Sequence, residues 1–290
     1  MVRRKRIREE AKKLNPIDDL MFRKLAEDKE FCQEILRIIL EDDGLVVVEA
    51  IPQWTGTNLQ GRSVILDARC ITGEGSQVNV EVQKANDDNH QKRVRYNGAV
   101  LTTNVTEPGE KFENVPDVCV VFISRFDVFD GNLPLYHVDR VVRETGEVVD
   151  NGFREVYVNA KVRDSSRVSR LMEVFVDDSV YDERFPKTTE GKRRYKETEG
   201  GLDVMCEIME RIAVEEREEG RREGRREGRR EGRREGRREG RREGRREGEK
   251  DGELKKARET AEKLSSMGME EELIAQAVGV ELELVRRWLA

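Results

Sequence analysis

The sequence contains few residues of the kinds that nucleophilic, redox or zinc sites need. Its 290 residues include two histidines and four cysteines. His90 and His137 stand in no catalytic-triad or zinc-binding spacing, and no two cysteines form a Cys-x-x-Cys pair. Cys70 and Cys119 lie inside apolar strand-like patterns, which is typical of small buried hydrophobic residues. Serine or cysteine nucleophile chemistry therefore has no support in the sequence.

Long apolar runs are also missing. No stretch of about 18 apolar residues is present, so no membrane span is expected. The basic N-terminus lacks the apolar segment that a signal peptide needs. Together with the unpaired cysteines, these absences predict a soluble cytoplasmic protein without a membrane partner.

Charged residues are abundant and unevenly placed. They make up 40% of the chain, and the net charge is −6. The first 14 residues hold seven Lys/Arg against two Glu, and residues 217–247 hold fifteen Arg against nine Glu, so the remainder is acidic. Basic ends on an acidic body fit contact with a polyanion, and they fit solvated tails equally well.

Hydrophobic periodicity predicts an α/β (or α+β) core of about 180 residues. The predicted order is a helix over 18–41, a strand over 45–51, a hairpin over 63–86, a helix over 89–104 and a strand over 117–126 that is covered on both faces. Further strand patterns follow at "LPLYHVDRVV" and "REVYVNAKV", and helical patterns at "SRVSRLMEVFVDD" and "GLDVMCEIMERIAVEE".

Five segments are expected along the chain. They are a basic N-terminal arm (1–14), the core domain (15–200), a connecting helix (201–219), an Arg-Arg-Glu-Gly repeat arm (220–252) and a helical tail (253–290). The tail reads as a helix ending at Gly268, then helix, turn at 278–280 and helix. Glu281 and Glu283 at the start of its last helix would repel DNA, so a small helical cap or dimer contact is favoured over a DNA-binding helix-turn-helix.

The repeat arm is predicted to be a solvated spacer or a self-association arm, helical only in part. A period of four residues drifts by about 40° per repeat around an α-helix, and every i,i+4 pair joins like residues. Each glycine also costs about 1 kcal/mol relative to alanine in a helix. Pairing with a second copy could match Arg against Glu, which predicts a homo-oligomer.

The hairpin at "SVILDARCITGEGSQVNVEVQKAN" carries the candidate chemistry. Alternation sends Val78, Val80 and Val82 of its second strand to the core. A turn closed on Gly73-Glu74-Gly75 sets residues whose numbers sum to 148 opposite one another, which places Asp67 opposite Glu81. The side chains expected on one face of the first strand are those of Leu66, Ala68 and Cys70, with Asp67 on the other.

Two carboxylates directly opposite each other on a sheet repel. A divalent cation between them removes the repulsion, and two hard oxygen ligands suit Mg²⁺. Gln83 or Lys84 could then orient water or offset developing negative charge. The alternative is a solvent-facing hairpin with ordinary surface acids.

"ILDARC…VNVEVQKAN" resembles the Asp…Glu-x-Lys hairpin of the PD-(D/E)xK nuclease superfamily, and more narrowly the branch of nuclease-family transposases or recombination-promoting nucleases. "NPIDDLMFRKLAED" is similar to the opening helix of that branch, "QKRVRYNGAVL" to its Arg/Tyr-bearing helix and "VPDVCVVFISRFDVF" to its buried strand. The likeness covers about residues 15 to 180. It implies a restriction-endonuclease-like core with a mixed sheet flanked by helices.

The resemblance also implies roles for individual residues. Asp67 and Glu81 would bind the metal, with the main-chain carbonyl of Val82 as a further ligand, and Mg²⁺ (or Mn²⁺ in its place) as the ion. Gln83 takes the position of the catalytic lysine. The remaining candidates are supporting residues. Glu49 is a candidate further acid, and the alternative is an exposed residue at a strand end. Lys92 or Arg93 would be a substitute positive charge, and Lys84 is expected on the opposite sheet face. Arg93, Arg95 and Tyr96 would contact phosphate or brace the site, or they form the outward polar face of a packed helix.

The function implied is that of a Mg²⁺-dependent DNA endonuclease that leaves a 5′-phosphate and a 3′-hydroxyl. The leucine before Asp67, where the superfamily name has proline, is a common variation. The neutral Gln83 favours the alternative of a nuclease fold that holds DNA or protein without cutting it. A self-association scaffold built on the repeat arm would leave the hairpin unexplained.

Overall fold

The structure is a computed structural model that describes residues 2–58 and 63–290. The chain separates into two compact units, Met1–Ala213 and Val214–Ala290. The division into five segments stays a prediction. The helices are α1 (Val2–Ala11), α2 (Asp19–Leu25), α3 (Lys29–Ile39), α4 (His90–Val105), α5 (Arg167–Val176), α6 (Pro186–Glu197), α7 (Glu199–Ser266), α8 (Glu271–Val278) and α9 (Leu282–Leu289). The strands are β1 (Val47–Gly56), β2 (Val64–Thr72), β3 (Gln77–Gln83), β4 (Val118–Ser124), β5 (Leu135–Val138), β6 (Arg140–Val141), β7 (Val148–Val149) and β8 (Phe153–Asn159).

Six strands of the first unit form one mixed sheet in the order β1-β2-β3-β4-β8-β5. Strands β1, β2 and β3 pair antiparallel, β3-β4 and β4-β8 pair parallel, and β5 is antiparallel to β8. Strands β6 and β7 form a separate ribbon. The predicted α/β class is confirmed, and the arrangement is consistent with a restriction-endonuclease-like fold.

The two faces of the sheet bury different helices. One face packs in the main core against apolar side chains of α2, α3, α5 and α6 and the start of α7. The other face packs against α4 through two smaller clusters, which include Val94 and Leu101. Every residue of β4 is buried, which confirms the prediction of a strand covered on both faces. Glu81 and Gln83 of the candidate site contact Arg93 on the α4 face.

The prediction of one helix over residues 18–41 was wrong. The segment forms two helices, α2 and α3, with a turn between them. Asp28 has an extended backbone and its side chain accepts a hydrogen bond from the amide of Glu30, which caps the start of α3. The apolar period on both sides is continuous in sequence, so the break is visible only in the capping aspartate. Strand β1 was expected over residues 45–51. In the structure it is longer and ends at Gly56.

The repeat arm differs most from the prediction, since α7 runs through it without a break. The start of α7 is packed in the core by Leu202, Met205 and Cys206. A helix that has already formed is extended at much lower cost than a new one is nucleated, so the glycines weaken the helix without ending it. The basic N-terminal segment is also helical, and its Arg8 pairs with Glu199 and Asp203.

The second unit contains the helical tail. The end of α7 packs with α8 and α9 around Ala261, Ile274 and Val285. Gly279 ends α8 with φ 70°, a left-handed conformation that glycine adopts without strain, and this confirms the predicted turn.

Two expectations from the composition can be compared with the structure. All four cysteines are free and buried, as predicted for Cys70 and Cys119. Among residues 2–58 and 63–290, no helix is long and apolar enough to cross a membrane.

Gly98 lets α4 approach the sheet closely. A Cβ atom at this position would lie 2.3 Å from Cε2 of Phe153. We expect Gly98→Ala to lower the free energy of unfolding by about 1–2 kcal/mol, because the clash outweighs the gain in helix propensity. Thr103→Ala on the exposed side of α4 is the control and should be neutral or stabilising. Urea denaturation measures both, and a Gly98→Ala protein as stable as Thr103→Ala would contradict the close packing.

Candidate active site

Strands β2 and β3 part at Asp67. Their backbone pairing runs from Ile71 with Gln77 to Ala68 with Val80, which is the predicted register. Beyond that point a side chain replaces the ladder. The amide of Val82 donates to Oδ2 of Asp67 at 2.9 Å. Asp67 is thus held by the backbone of β3.

The sheet is irregular at this point on the β1 side as well. Pro52 pairs with Ala68 and Trp54 with Leu66, so Gln53 stands opposite Asp67, and it has φ 52°. That conformation is unusual for a residue other than glycine. Leu66 packs in the cluster with Leu101 on the α4 side, so the expectation that Leu66 shares a face with Ala68 was wrong. The alternation of side chains between the two faces of β2 is therefore interrupted at Asp67.

Both acids are buried, with exposed fractions of 6% for Asp67 and 1% for Glu81. Burial, followed by the charge of Glu81, raises the pKa of Asp67 to about 8. Burial also raises the pKa of Glu81, which Arg93 partly offsets. The predicted repulsion between the acids is therefore present, and without a cation the pair retains a proton near neutral pH.

Arg93 of α4 lies between Glu81 and Gln83. Its Nη2 donates to Oε2 of Glu81 at 3.3 Å and its Nη1 donates to Oε1 of Gln83 at 3.2 Å. The amide nitrogen of Gln83 donates to the carbonyl of Ala85 at 3.0 Å and to Oδ1 of Asp87 at 3.3 Å. Gln83 is therefore fixed in an orientation that presents its oxygen to Arg93.

Lys84 pairs with α2, and Glu49 lies farther along the sheet. Lys84 extends from the other sheet face, as predicted, and its Nζ is 2.5 Å from Oδ1 of Asp18. Glu49 is exposed and pairs in register with Ile71, four residues along β2 from Asp67. Four strand residues span about 13 Å, so the structure does not bring Glu49 to the acids. Glu49 is therefore not part of the site, because it lies near the start of β1 and not because of its residue type.

The other α4 candidates line a cavity beside the acids. Lys92, Arg93, Arg95 and Tyr96 surround a volume of about 570 Å³ together with the first residues of β2. The Tyr96 hydroxyl accepts a hydrogen bond from Nδ2 of Asn58 at 2.8 Å. Arg93 belongs both to this cavity and to the contact with Glu81, so the cavity opens next to the buried carboxylates.

Two residues of the site were missed in the sequence. Arg23 of α2 has its Nε 3.8 Å from Oδ1 of Asp67 and 2.5 Å from Oδ1 of Asp19. The negative charge of Asp19 also raises the pKa of Asp67. Opposite charges at i,i+4 in "DLMFR" indicate an ion pair on one helix face. Nothing in the sequence indicates that this face meets β2.

The sequence profile of PD-(D/E)XK nuclease family transposases matches residues 16–230. The chain belongs to this family. Comparison with curated proteins and with solved structures gives no match. Membership in the PD-(D/E)XK nuclease family indicates a hydrolase acting on phosphodiester bonds, and nucleases of this kind generally use divalent metal ions such as Mg²⁺.

The donor set in this nuclease-family chain fits a divalent cation. Oε1 of Glu81 is buried, and among the described residues it has no hydrogen-bond partner. The carbonyl of Val82 points to the same side of β3 as its amide, which donates to Asp67. Within the described parts of the chain, no group of three or more His, Cys, Asp or Glu side chains is arranged to hold a metal ion. Two carboxylates and one carbonyl suit an ion that completes its shell with water and substrate.

The raised pKa of Asp67 predicts a pH-dependent stability in metal-free buffer. The folded state holds the proton of Asp67 more tightly than the unfolded chain does. The contribution of this group to the free energy of unfolding is therefore largest below about pH 4, and it falls as the pH rises to about 8. Asp67→Asn removes this titration. The free energy of unfolding of the variant, relative to that of the parent, should therefore rise by a few kcal/mol between about pH 4 and about pH 8.

Urea titrations at several pH values with a chelator present measure this difference. Glu49→Gln removes an exposed acid of β1 and serves as the matched control. The explanation would be contradicted by a difference that stays constant with pH, or by one that Glu49→Gln shows equally.

Proposed function

We propose that the chain is a metal-dependent DNA endonuclease whose site is centred on Asp67 and Glu81. The observation that carries this proposal is the meeting of two buried carboxylates where β2 and β3 part, beside a basic cavity. A structural sheet gains nothing from two adjacent buried acids, since each raises the cost of ionising the other. A site that binds a cation requires both.

Mg²⁺ is the proposed ion, and Mn²⁺ is expected to substitute for it. Asp67, Glu81 and the carbonyl of Val82 would hold it. A bound divalent ion polarises the scissile phosphate and lowers the pKa of a water molecule that attacks phosphorus. The resulting products are a 5′-phosphate and a 3′-hydroxyl, as the resemblance to the superfamily implies.

Arg93 is proposed to supply the positive charge that a lysine provides in most of the superfamily. The two nitrogens that contact Glu81 and Gln83 place its guanidinium at that position of the hairpin. Gln83 acts as a positioning residue, because its fixed amide oxygen holds Arg93. Between the two candidates for this charge, Lys92 lines the cavity whereas Arg93 reaches the carboxylate.

The cavity is proposed to take the DNA backbone. Lys92, Arg93 and Arg95 contribute three positive charges to its lining, against one acid, Asp88. Guanidinium and ammonium groups bind phosphate oxygens without regard to base sequence. We therefore expect weak sequence preference.

A second candidate function is a nuclease fold that binds DNA without cutting it. The ion pair between Arg93 and Glu81 favours it, because Arg93 already neutralises one of the two carboxylates. Self-association through the repeat arm and a cytoplasmic location stay predictions.

Plasmid nicking tests the proposed activity. The purified chain should relax supercoiled plasmid in Mg²⁺ or Mn²⁺ and not in a chelator. Asp67→Ala and Glu81→Gln should lose this activity by about 10²-fold or more, because each removes a proposed metal ligand. Glu49→Gln, the acid that lies away from the site, should keep it.

The outcomes separate the two candidate functions. Nicking by the parent that disappears in both site variants supports the enzyme. Equal nicking by all variants would indicate a contaminating nuclease. Retained DNA binding without nicking in either metal would favour the binding module.

A charge-replacement test addresses Arg93. Arg93→Ala should reduce nicking by about 10²-fold, the typical loss when one charge-stabilising group is removed. Adding Gln83→Lys to Arg93→Ala returns a positive charge beside Glu81 and should recover a large part of the loss. If the double variant is no more active than Arg93→Ala, Arg93 does not replace the lysine.

A further inference from the structure

The repeat arm is a surface that the proposed nuclease site does not use. Residues 221–248 hold fourteen arginines against seven glutamates in seven repeats. Every residue from 220 to 252 is exposed, and a Cβ added at any glycine of the repeats would meet no atom within 4 Å. The arm therefore packs against nothing in its own unit. Packing within this unit does not explain why its composition is rich in arginine.

A helix with this repeat separates its residue types into faces. At 100° per residue, the arginines of residues 226–237 share an arc of about 140°, and the glutamates and glycines each occupy an arc of about 80° elsewhere. No glutamate of these three repeats falls inside the arginine arc. The structure shows the result as a groove of about 450 Å³ lined by Arg226, Arg229, Arg230, Arg233, Arg234 and Arg237.

The arginines of this face keep their charge available. The i,i+4 neighbours are like residues throughout the repeats, so Glu and Arg meet only at the i,i+3 spacing, as in Glu223 and Arg226. Between Arg225 and Arg242, where all neighbouring side chains are described, no arginine has an ion pair. Ion pairs occur only towards the ends, at Arg222 with Glu218 and Arg245 with Glu249.

The arginine face winds around the helix. Each repeat advances about 6 Å and rotates the face by about 40°, so a full right-handed turn takes about nine repeats or roughly 54 Å. Duplex DNA is stiff over about 500 Å and would touch only about three repeats of such a face. A single strand is flexible enough to follow all seven.

We propose that the repeat arm binds one single strand of nucleic acid through its phosphate backbone, along the winding arginine face. The repeats contain no aromatic side chain on which bases could stack, so the contact is electrostatic and independent of sequence. This binding goes beyond the proposed nuclease activity and does not depend on it.

Binding of a labelled oligothymidylate to the full chain, followed by fluorescence anisotropy at several salt concentrations, tests the proposal. All proteins carry Asp67→Ala so that no cleavage occurs. Replacing the six groove arginines by glutamine should reduce the slope of log K against log salt by about 4, as expected for six lost phosphate contacts to a single strand. The affinity at low salt should fall at least tenfold.

A composition-matched variant separates the face from net charge. Arg230→Glu with Glu231→Arg and Arg234→Glu with Glu235→Arg keeps every residue count and places two carboxylates in the arginine arc. We expect it to bind the oligonucleotide at least tenfold more weakly than the parent. Binding equal to the parent would overturn the proposed face, and circular dichroism confirms that the helix is retained.

Repeat number distinguishes a single strand from a duplex. Deleting two or four repeats should weaken single-strand binding with each deletion. Duplex binding should stay nearly constant until about three repeats remain, because a straight rod contacts no more. Duplex affinity that falls with every deletion as steeply as single-strand affinity would overturn the assignment to a single strand.

Discussion

The hydrogen bond from the amide of Val82 to Asp67, at the point where β2 and β3 part, determines the geometry of the candidate site. It takes the place of backbone pairing that an uninterrupted hairpin would form. Asp67 and Glu81 are both buried at this point. The left-handed Gln53 opposite Asp67 accompanies the change of direction in β2. Neighbouring elements then supply the charges that accompany the acids, Arg23 from α2 and Arg93 from α4.

In the proposed site, a guanidinium from α4 takes the role of the lysine that most of the superfamily carries at the position of Gln83. A lysine in its place would project its ammonium from β3 towards the acids. Here the neutral amide is fixed by Ala85 and Asp87, and its oxygen holds a guanidinium that arrives from α4.

Sequence patterns predicted the parts of the fold that depend on local rules. The register of the hairpin follows from its glycine-flanked turn, and the all-buried β4 follows from its continuous apolar run. The break between α2 and α3 was not predicted, because the apolar period continues across it and only the capping Asp28 marks it. The repeat arm was misjudged for a different reason: local propensity argues against a helix, whereas the packed start of α7 removes the cost of nucleating one.

The sequence by itself determined that two carboxylates would meet on neighbouring strands, since side-chain alternation and turn length fix register without reference to the rest of the chain. It also determined that Lys84 would face away from Gln83. Only the tertiary structure decided which other residues join the acids. Glu49 is excluded because it lies four residues along the sheet, and Asp19, Arg23 and Arg93 are included because two helices pack at that point. Contacts between segments distant in sequence depend on how elements pack, and no local pattern encodes that arrangement.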